Sequence, residues 1–395
     1  MNIENTSITS LVGNWNYPTA IRFGCGRITE LPDACHELGI SNPLLITDQG
    51  IAELPITLDC VELCISAGMD CAVFSDIQAN PIGKNVEDGV AAYKEGSHDG
   101  VIAFGGGSAL DVAKAVALMV GQDRPLWDFE DKEDWSERVN VNGMAPVVAV
   151  PTTSGTGSEV GRASVITDES DHTKKIIFHA NMLPAKVICD PELTVGLPKN
   201  ITAWVGMDAL SHSMEAYFSP FYHPMAEGIA LKGMQLVKDF LPAAVSDGTD
   251  LVARSQMMIA STMGATAFQK GLGAMHSLSH PCGAVLNTQH GLTNAVVMPY
   301  VLERNREAIA DKATDLARFL NLQNPSLDTL LKWVLELREQ VAIPHTLAKI
   351  GVNDSHIEEL SKMAAVDPTV GGNPIPLGFD DMAALYAKAI SGNVQ

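Results

Sequence analysis

Five short, continuous apolar runs, partly β-branched, constrain the fold of this chain more than any other feature. They lie at 44–47, 71–74, 101–104, 147–150 and 186–189. Helix-like stretches fall between the early ones, notably 85–94 and 109–118. A strand without polar alternation must be covered on both faces. Strands of this kind alternating with amphipathic helices predict a mostly parallel sheet layered between helices. The acidic stretch 128–137 interrupts the pattern and reads as an exposed insertion or loop.

From about Thr202 the character changes. Runs over 208–217, 225–240, 251–268, 307–320, 327–341, 354–365 and 380–390 have helical spacing and almost no strand alternation. Asp354 and Asp380 stand where helix N-caps are expected. Pro191 and Pro198 punctuate a polar link between the two regimes. The expected division is therefore an α/β domain over 1–195 and an all-helical domain over 196–395. A chain of 395 residues, 46% of them hydrophobic, has the length and the material for two cores. No internal repeat or low-complexity segment intervenes.

With 47 acidic against 26 basic residues, the formal charge is −21. That excess argues against nucleic acid and anionic membrane surfaces as partners. An anionic ligand would have to be met by helix N-termini and backbone amides. The first residues carry no basic and apolar pattern of a secretion signal, and no apolar run is long enough to span a bilayer. Seven cysteines, an odd number without a repeated framework, read as the reduced thiols of a cytoplasmic protein. Cys60 and Cys64 share a helix face, but with no second pair they read as buried and inert.

Gly105-Gly106-Gly107-Ser108, with Asp111 one turn on, leaves a predicted strand and opens a predicted helix. Consecutive glycines let a ligand approach the backbone, and a helix N-terminus offers free amides, so the segment is a candidate diphosphate cradle. It is not G-x-G-x-x-G, and alone it could be a tight turn. A second loop after a strand, 151–159, clusters the hydroxyls of Thr152, Thr153 and Thr156 with glycines and could meet phosphate, ribose or a nicotinamide amide. Its hydroxyls could equally cap local backbone. Asp48, just past an early strand, could accept hydrogen bonds from both hydroxyls of an adenosine ribose and repel a 2′-phosphate. In isolation it would more commonly be a turn aspartate. Asn80, before Pro81, is a turn residue that could also meet the cofactor.

Metal-ligand residue types concentrate in the second half. Asp208 and His212 are four apart, so on a helix both side chains point the same way. His276, His280 and His290 follow in a segment whose glycine and proline punctuation suggests that it turns back. Each histidine alone is more commonly a satisfied core or surface residue. One carboxylate and several imidazoles together suit a divalent transition metal such as iron or zinc.

The motifs Gly105-Gly-Gly-Ser-x-x-Asp111, Pro151-Thr-Thr-Ser-Gly-Thr-Gly-Ser-Glu159, Gly206-Met-Asp208-Ala-x-x-His212-x-x-Glu215 and His276-x-x-x-His280-Pro, followed by His290-Gly291, stand in one order along the chain. In this the chain resembles the iron-containing, or group III, alcohol dehydrogenases, from roughly Tyr17 to the C-terminus. The resemblance implies a Rossmann-like N-terminal domain that binds NAD(P) and an all-α C-terminal domain that holds the metal, the dehydroquinate synthase-like fold. It implies Asp208, His212, His276 and His290 as metal ligands. His280 falls on the family's histidine near nicotinamide and substrate, not on the metal. Asp48 falls on the position associated with NAD over NADP, the 105–108 loop on the pyrophosphate loop, and Thr152, Thr153 and Thr156 on the nicotinamide and ribose segment. Two stretches depart from familiar relatives. Thr369 stands where several have cysteine and Ile375 where arginine is usual, and the spacing after Phe268 is one residue shorter than in some. Phe268 and Thr369 are accordingly expected at the substrate pocket.

The implied activity is interconversion of a small primary alcohol or diol with its aldehyde, using NAD and Fe²⁺, with Zn²⁺ the alternative metal. A bound metal would act as a Lewis acid on the substrate oxygen while hydride passes to or from nicotinamide, and His280 would relay the hydroxyl proton. A homo-oligomer, a dimer first, is expected by the same resemblance. Two alternatives compete: a glycerol-dehydrogenase-like polyol oxidoreductase, and a metal-dependent hydrolase that activates water. The hydrolase leaves both glycine-rich loops without a purpose.

Overall fold

The computed structural model describes residues 13–15, 19–171 and 173–394, and the chain divides into two compact units. Unit 1 comprises Met1–Thr153 and Gly157–Gly196; unit 2 comprises Ser154–Thr156 and Leu197–Gln395.

Unit 1 is built on β1 (Gly13–Trp15), β2 (Ala20–Phe23), α1 (Leu31–His36), β3 (Pro43–Ile46), α2 (Pro55–Ser66), β4 (Ala72–Phe74), α3 (Gly83–Glu95), β5 (Gly100–Gly105), α4 (Gly107–Met119), β6 (Val147–Pro151), β7 (Ala163–Asp168), β8 (Thr173–Phe178) and β9 (Lys186–Cys189). Seven strands form one sheet in the order β1-β2-β9-β6-β5-β3-β4, parallel except for the β1–β2 pair. Every residue of β3, β5 and β6 is buried, which is why their sequences are continuously apolar. All five expected runs are strands of this sheet. From β3 the chain goes first to β4 on one side and then to β5 on the other. The β3/β5 boundary is thus a topological switch point, where open α/β sheets place ligands beyond the strand C-termini.

The separate β7–β8 hairpin was not legible, because its strands mix Ser164, Lys174 and Lys175 with apolar residues. The acidic stretch is better anchored than an exposed loop would be: Phe129 is buried and the Asp131 amide donates to the Ile176 carbonyl at 2.7 Å.

Among the described residues unit 2 contains only helices: α5 (Lys199–Phe218), α6 (Pro224–Ser246), α7 (Leu251–Ala267), α8 (Ala274–Leu286), α9 (His290–Arg304), α10 (Arg306–Phe319), α11 (Leu327–Gln340), α12 (Ile357–Val366) and α13 (Phe379–Ser391), with short 3-10 turns. The second-half expectation of an all-helical domain holds. Helix α5 is buried on nearly every side and packs against α6, α7 and α9, the behaviour of a core helix without an apolar stripe. The two expected N-caps are corrected. Asn353, not Asp354, caps the turn before α12, its side chain accepting from the Ser355 amide. Gly378 occupies the N-cap of α13, whose Asp381 carboxylate reaches back to the Gly378 amide at 2.9 Å. No helix among the described residues is long and apolar enough to cross a membrane.

Candidate active site

In unit 2 the buried helix α5 carries Asp208 and His212 one turn apart, as their spacing requires. Helix α8 contributes His276, the chain reverses through Asn287 in the left-handed conformation, and α9 begins at His290. The segment thus turns back as expected, but between two helices. One ligand atom from each of Asp208, His212, His276 and His290 lies within 4.8 Å of all the others. The first three residues are buried and His290 is half-buried. The His212 and His276 rings stack at 4.8 Å between centroids, 19° apart. Gly291 makes the approach of α9 feasible: a Cβ there would stand 2.4 Å from the Trp204 carbonyl oxygen and 3.0 Å from the Asp208 Cβ.

Electrostatics favour a cation in this cluster. Burial pushes the His212 imidazole down to about 4 despite Asp208, so it stays neutral at pH 7, and its Nδ1 is buried without a hydrogen-bond partner. His276 also loses water, but Glu215 and Asp208 raise its affinity for a proton above the ordinary value. The Glu215 carboxylate explains this. Oε2 lies 2.6 Å from His276 Nδ1, and Oε1 accepts the Met275 amide at 2.6 Å in the first turn of α8. A carboxylate at Nδ1 places the ring proton there and leaves the Nε2 lone pair for the cluster. The donor set therefore fits a divalent transition metal on its own chemistry: one carboxylate, three imidazoles and a tautomer fixed from outside.

His280 lies one turn beyond His276 on α8 yet does not join the four. Its Nδ1 is 2.8 Å from Asp367 Oδ2, and its ring stacks on His290 at 5.4 Å. Burial raises the Asp367 carboxyl, but His280 and both the hydroxyl and the amide of Thr369 hold it below the ordinary carboxylate value. The hydroxyl of Thr369, expected at the pocket, is thus engaged with Asp367. Phe268 packs its ring 5.1 Å from the His212 ring.

In unit 1 the expected cofactor residues divide into two groups. Gly105 ends β5 at φ +142°, and a Cβ there would meet the Ala109 Cβ at 2.8 Å and Asp48 Oδ2 at 3.5 Å. Asp48 and the glycine loop therefore meet at the β3/β5 switch point. Burial raises the Asp48 carboxyl, against the pull of backbone amides that include Gly50 at 2.9 Å. Gly106 is the N-cap of α4, and no side chain caps that helix, so the loop suits a phosphate. The Thr152 amide donates to the Gly105 carbonyl at 2.9 Å, and Thr153 packs against Gly106. The other side chains are engaged by protein groups. Ser108 Oγ donates to the Ala79 carbonyl at 2.6 Å, and Asn80 Oδ1 accepts from Lys174 at 2.9 Å. Asp111 accepts from Ser158 Oγ and, at 3.0 Å, from the Val165 amide, and lies 3.3 Å from the buried Lys114 ammonium. Gly107 opens α4, and Thr156 belongs to unit 2.

Sequence reasoning did not assign roles to Glu215, Asp367 or Asn294. Glu215 shares the helical face of Asp208 and His212 and closes their motif, and Asn294 stands one turn after His290, which are the signals they gave.

Comparison with known proteins agrees with this geometry. Residues 18–191 match the family model for iron-containing alcohol dehydrogenase, and 202–390 match the model for the C-terminal part of the Fe-containing alcohol dehydrogenase family. A 4-hydroxybutyrate dehydrogenase of Cupriavidus necator is 38% identical over 368 residues, 91% of this chain and 94% of that protein. An NAD-dependent methanol dehydrogenase of Bacillus methanolicus is 33% identical over 95% of this chain and all of its own length, 100%. A crystal structure of a 1,3-propanediol oxidoreductase superposes with a TM-score of 0.89 at 30% identity, covering 98% of this chain and 100% of that one. Nothing in these comparisons favours a hydrolase. The chain belongs to the iron-containing alcohol dehydrogenase family and is an oxidoreductase of the alcohol dehydrogenase type.

Proposed function

We propose that this protein is an NAD-linked, metal-dependent dehydrogenase interconverting a small primary alcohol or diol with its aldehyde. The observation that carries the reading is the convergence of Asp208, His212, His276 and His290 within 4.8 Å, with His280 beside them but paired elsewhere. When bound, the metal supplies Lewis acidity at the substrate oxygen and the nicotinamide accepts or returns hydride.

The chain's own groups have separable tasks. Asp208, His212, His276 and His290 hold the metal, Fe²⁺ by family and Zn²⁺ equally by donor type. Glu215 fixes the His276 tautomer from outside. Asp367 takes Nδ1 of His280, so that Nε2 is the ring nitrogen left to hold or pass on the hydroxyl proton. Phe268 and Thr369 stand at the substrate side. The 105–107 backbone and the open N-terminus of α4 receive the diphosphate, Thr152, Thr153 and Thr156 the nicotinamide half, and Asp48 the adenosine ribose. Ser108, Asn80 and Asp111 shape that loop through the protein contacts described above.

Asp48 and the NAD-dependent relative both support NAD over NADP. The domain boundary near 195–196 is supported by the division of the chain at Gly196 and Leu197. A cytoplasmic setting accords with cysteines that form no disulfide among the described residues, and a homo-oligomer, a dimer first, is part of the same reading. The test is a screen of small alcohols, diols and aldehydes in both directions with NAD(H) and NADP(H), with metal analysis of the same preparation. Failure to turn over any of them with metal and cofactor present would overturn the reading.

A further inference from the structure

Asn294 is fully buried on α9, one turn beyond His290. Its side-chain Nδ2 lies 2.9 Å from Asp208 Oδ1, 3.1 Å from His290 Nε2 and 3.3 Å from His276 Nε2. Three of the four clustered side chains thus place a polar atom within hydrogen-bond reach of a single amide group, whose two hydrogens serve two of them at a time. The assignment of Nδ2 as donor follows from Asp208, whose carboxylate oxygen accepts. With Nδ1 of His276 turned to Glu215, the neutral ring offers its Nε2 lone pair to the same amide. The Asn294 carbonyl oxygen, by contrast, is buried without a hydrogen-bond partner. A buried polar atom left this way carries a cost, and the bonds made by Nδ2 are what hold the side chain in that orientation.

We propose that Asn294 is a positioning residue that keeps the ligand cluster assembled when no cation is bound. Because one amide group, with two hydrogens to donate, bridges Asp208 on α5 and an imidazole of α8 or α9, their convergence does not require a metal. A bound metal would engage the imidazole nitrogens, and Asn294 would still hold the Asp208 carboxylate. The site is then preorganised: the cation meets ligands already gathered and does not have to gather them. This inference rests on the metal-site reading above. It assigns Asn294 no direct coordination.

The test uses Co²⁺, whose visible absorption reports the coordination set without reference to turnover. Purified protein is stripped with a chelator and titrated with Co²⁺, for wild type, Asn294→Ala and Asn294→Leu. The near-isosteric Leu variant fills the same space without a donor or a charge, so a folding failure of the Ala variant does not end the test. Both variants are expected to bind Co²⁺ about 10- to 100-fold more weakly than wild type, the effect of losing an outer partner of a metal site. The Ala variant should reach the wild-type spectrum at saturation, and its melting temperature should fall further in the loaded than in the stripped protein, as weaker binding requires. Unchanged Co²⁺ affinity in a folded variant, or equal melting losses in both forms, would overturn the proposal. An altered spectrum at saturation in the Ala variant would also overturn it, by making Asn294 a ligand. If wild type itself takes up no Co²⁺, the metal-site reading fails as well.

Discussion

Glu215 holds His276 in its working tautomer while tying down the helix that carries it: one carboxylate oxygen lies 2.6 Å from His276 Nδ1, the other 2.6 Å from the Met275 amide. The two bonds couple α5 to the first turn of α8, so the direction of one imidazole depends on a residue sixty-one positions away. In Glu215→Gln the amide can offer a donor where the wild type only accepts. Metal affinity is expected to fall by about 10- to 100-fold. Equilibrium dialysis against Zn²⁺ measures this, and an unchanged affinity would remove Glu215 from the site.

Asp367 acts through His280, which lies outside the four-residue cluster. Asp367→Asn should therefore leave metal content unchanged and lower kcat by about 10- to 100-fold, up to the lower end of the roughly 10²- to 10⁴-fold that a proton-transfer group itself contributes. The variant also has a pH signature. The native carboxyl is held below its ordinary value of about 3.9, so its ionisation contributes stability that is full above that value. That contribution disappears as the pH falls through the depressed value. The melting-temperature gap between wild type and Asp367→Asn should accordingly shrink as the pH is taken below about 4. A gap that widens in acid would contradict the assignment.

Asp48 lies at the switch point of the sheet, within reach of the glycine loop. Replacing it with Ala removes the group that would repel a 2′-phosphate. The ratio of kcat/KM for NADP to that for NAD should rise about tenfold or more, equivalent to about 1.4 kcal/mol of lost discrimination. An unchanged ratio from steady-state kinetics with both cofactors would place Asp48 outside the adenosine site.

Gly291 sets the distance between α9 and α5. An alanine methyl at that position would collide with the Trp204 carbonyl, and moving α9 away would also carry off His290. Gly291→Ala should cost about 1–3 kcal/mol of stability, the range for overpacking, and should lower metal content in the same preparation. Denaturant unfolding with metal analysis checks both; full metal content in a destabilised variant would separate the glycine from the site.

Much of this architecture is legible in the sequence because burial leaves a local mark. The strands β3, β5 and β6 are buried on both faces and so are continuously apolar, and Asp208 and His212 stand at a helical repeat. Helices α8 and α9 were harder to read, since Pro281 and Pro299 lie inside them and look like breaks. The residues that orient the site left no local mark of the partners they meet. Glu215 reaches His276 across 61 positions, Asn294 reaches Asp208 across 86, and Asp367 reaches His280 across 87. Only the packing of the helices creates those pairs, and no spacing rule in one sequence encodes them.

The most direct test of the account is the aldehyde-reducing turnover of His276→Ala with NADH, read against the metal content of the same preparation. The predicted result is loss of both bound metal and turnover, with binding of the nicotinamide cofactor nearly intact. Full turnover in a His276→Ala protein that holds no metal would contradict the claim that Asp208, His212, His276 and His290 form the catalytic metal centre.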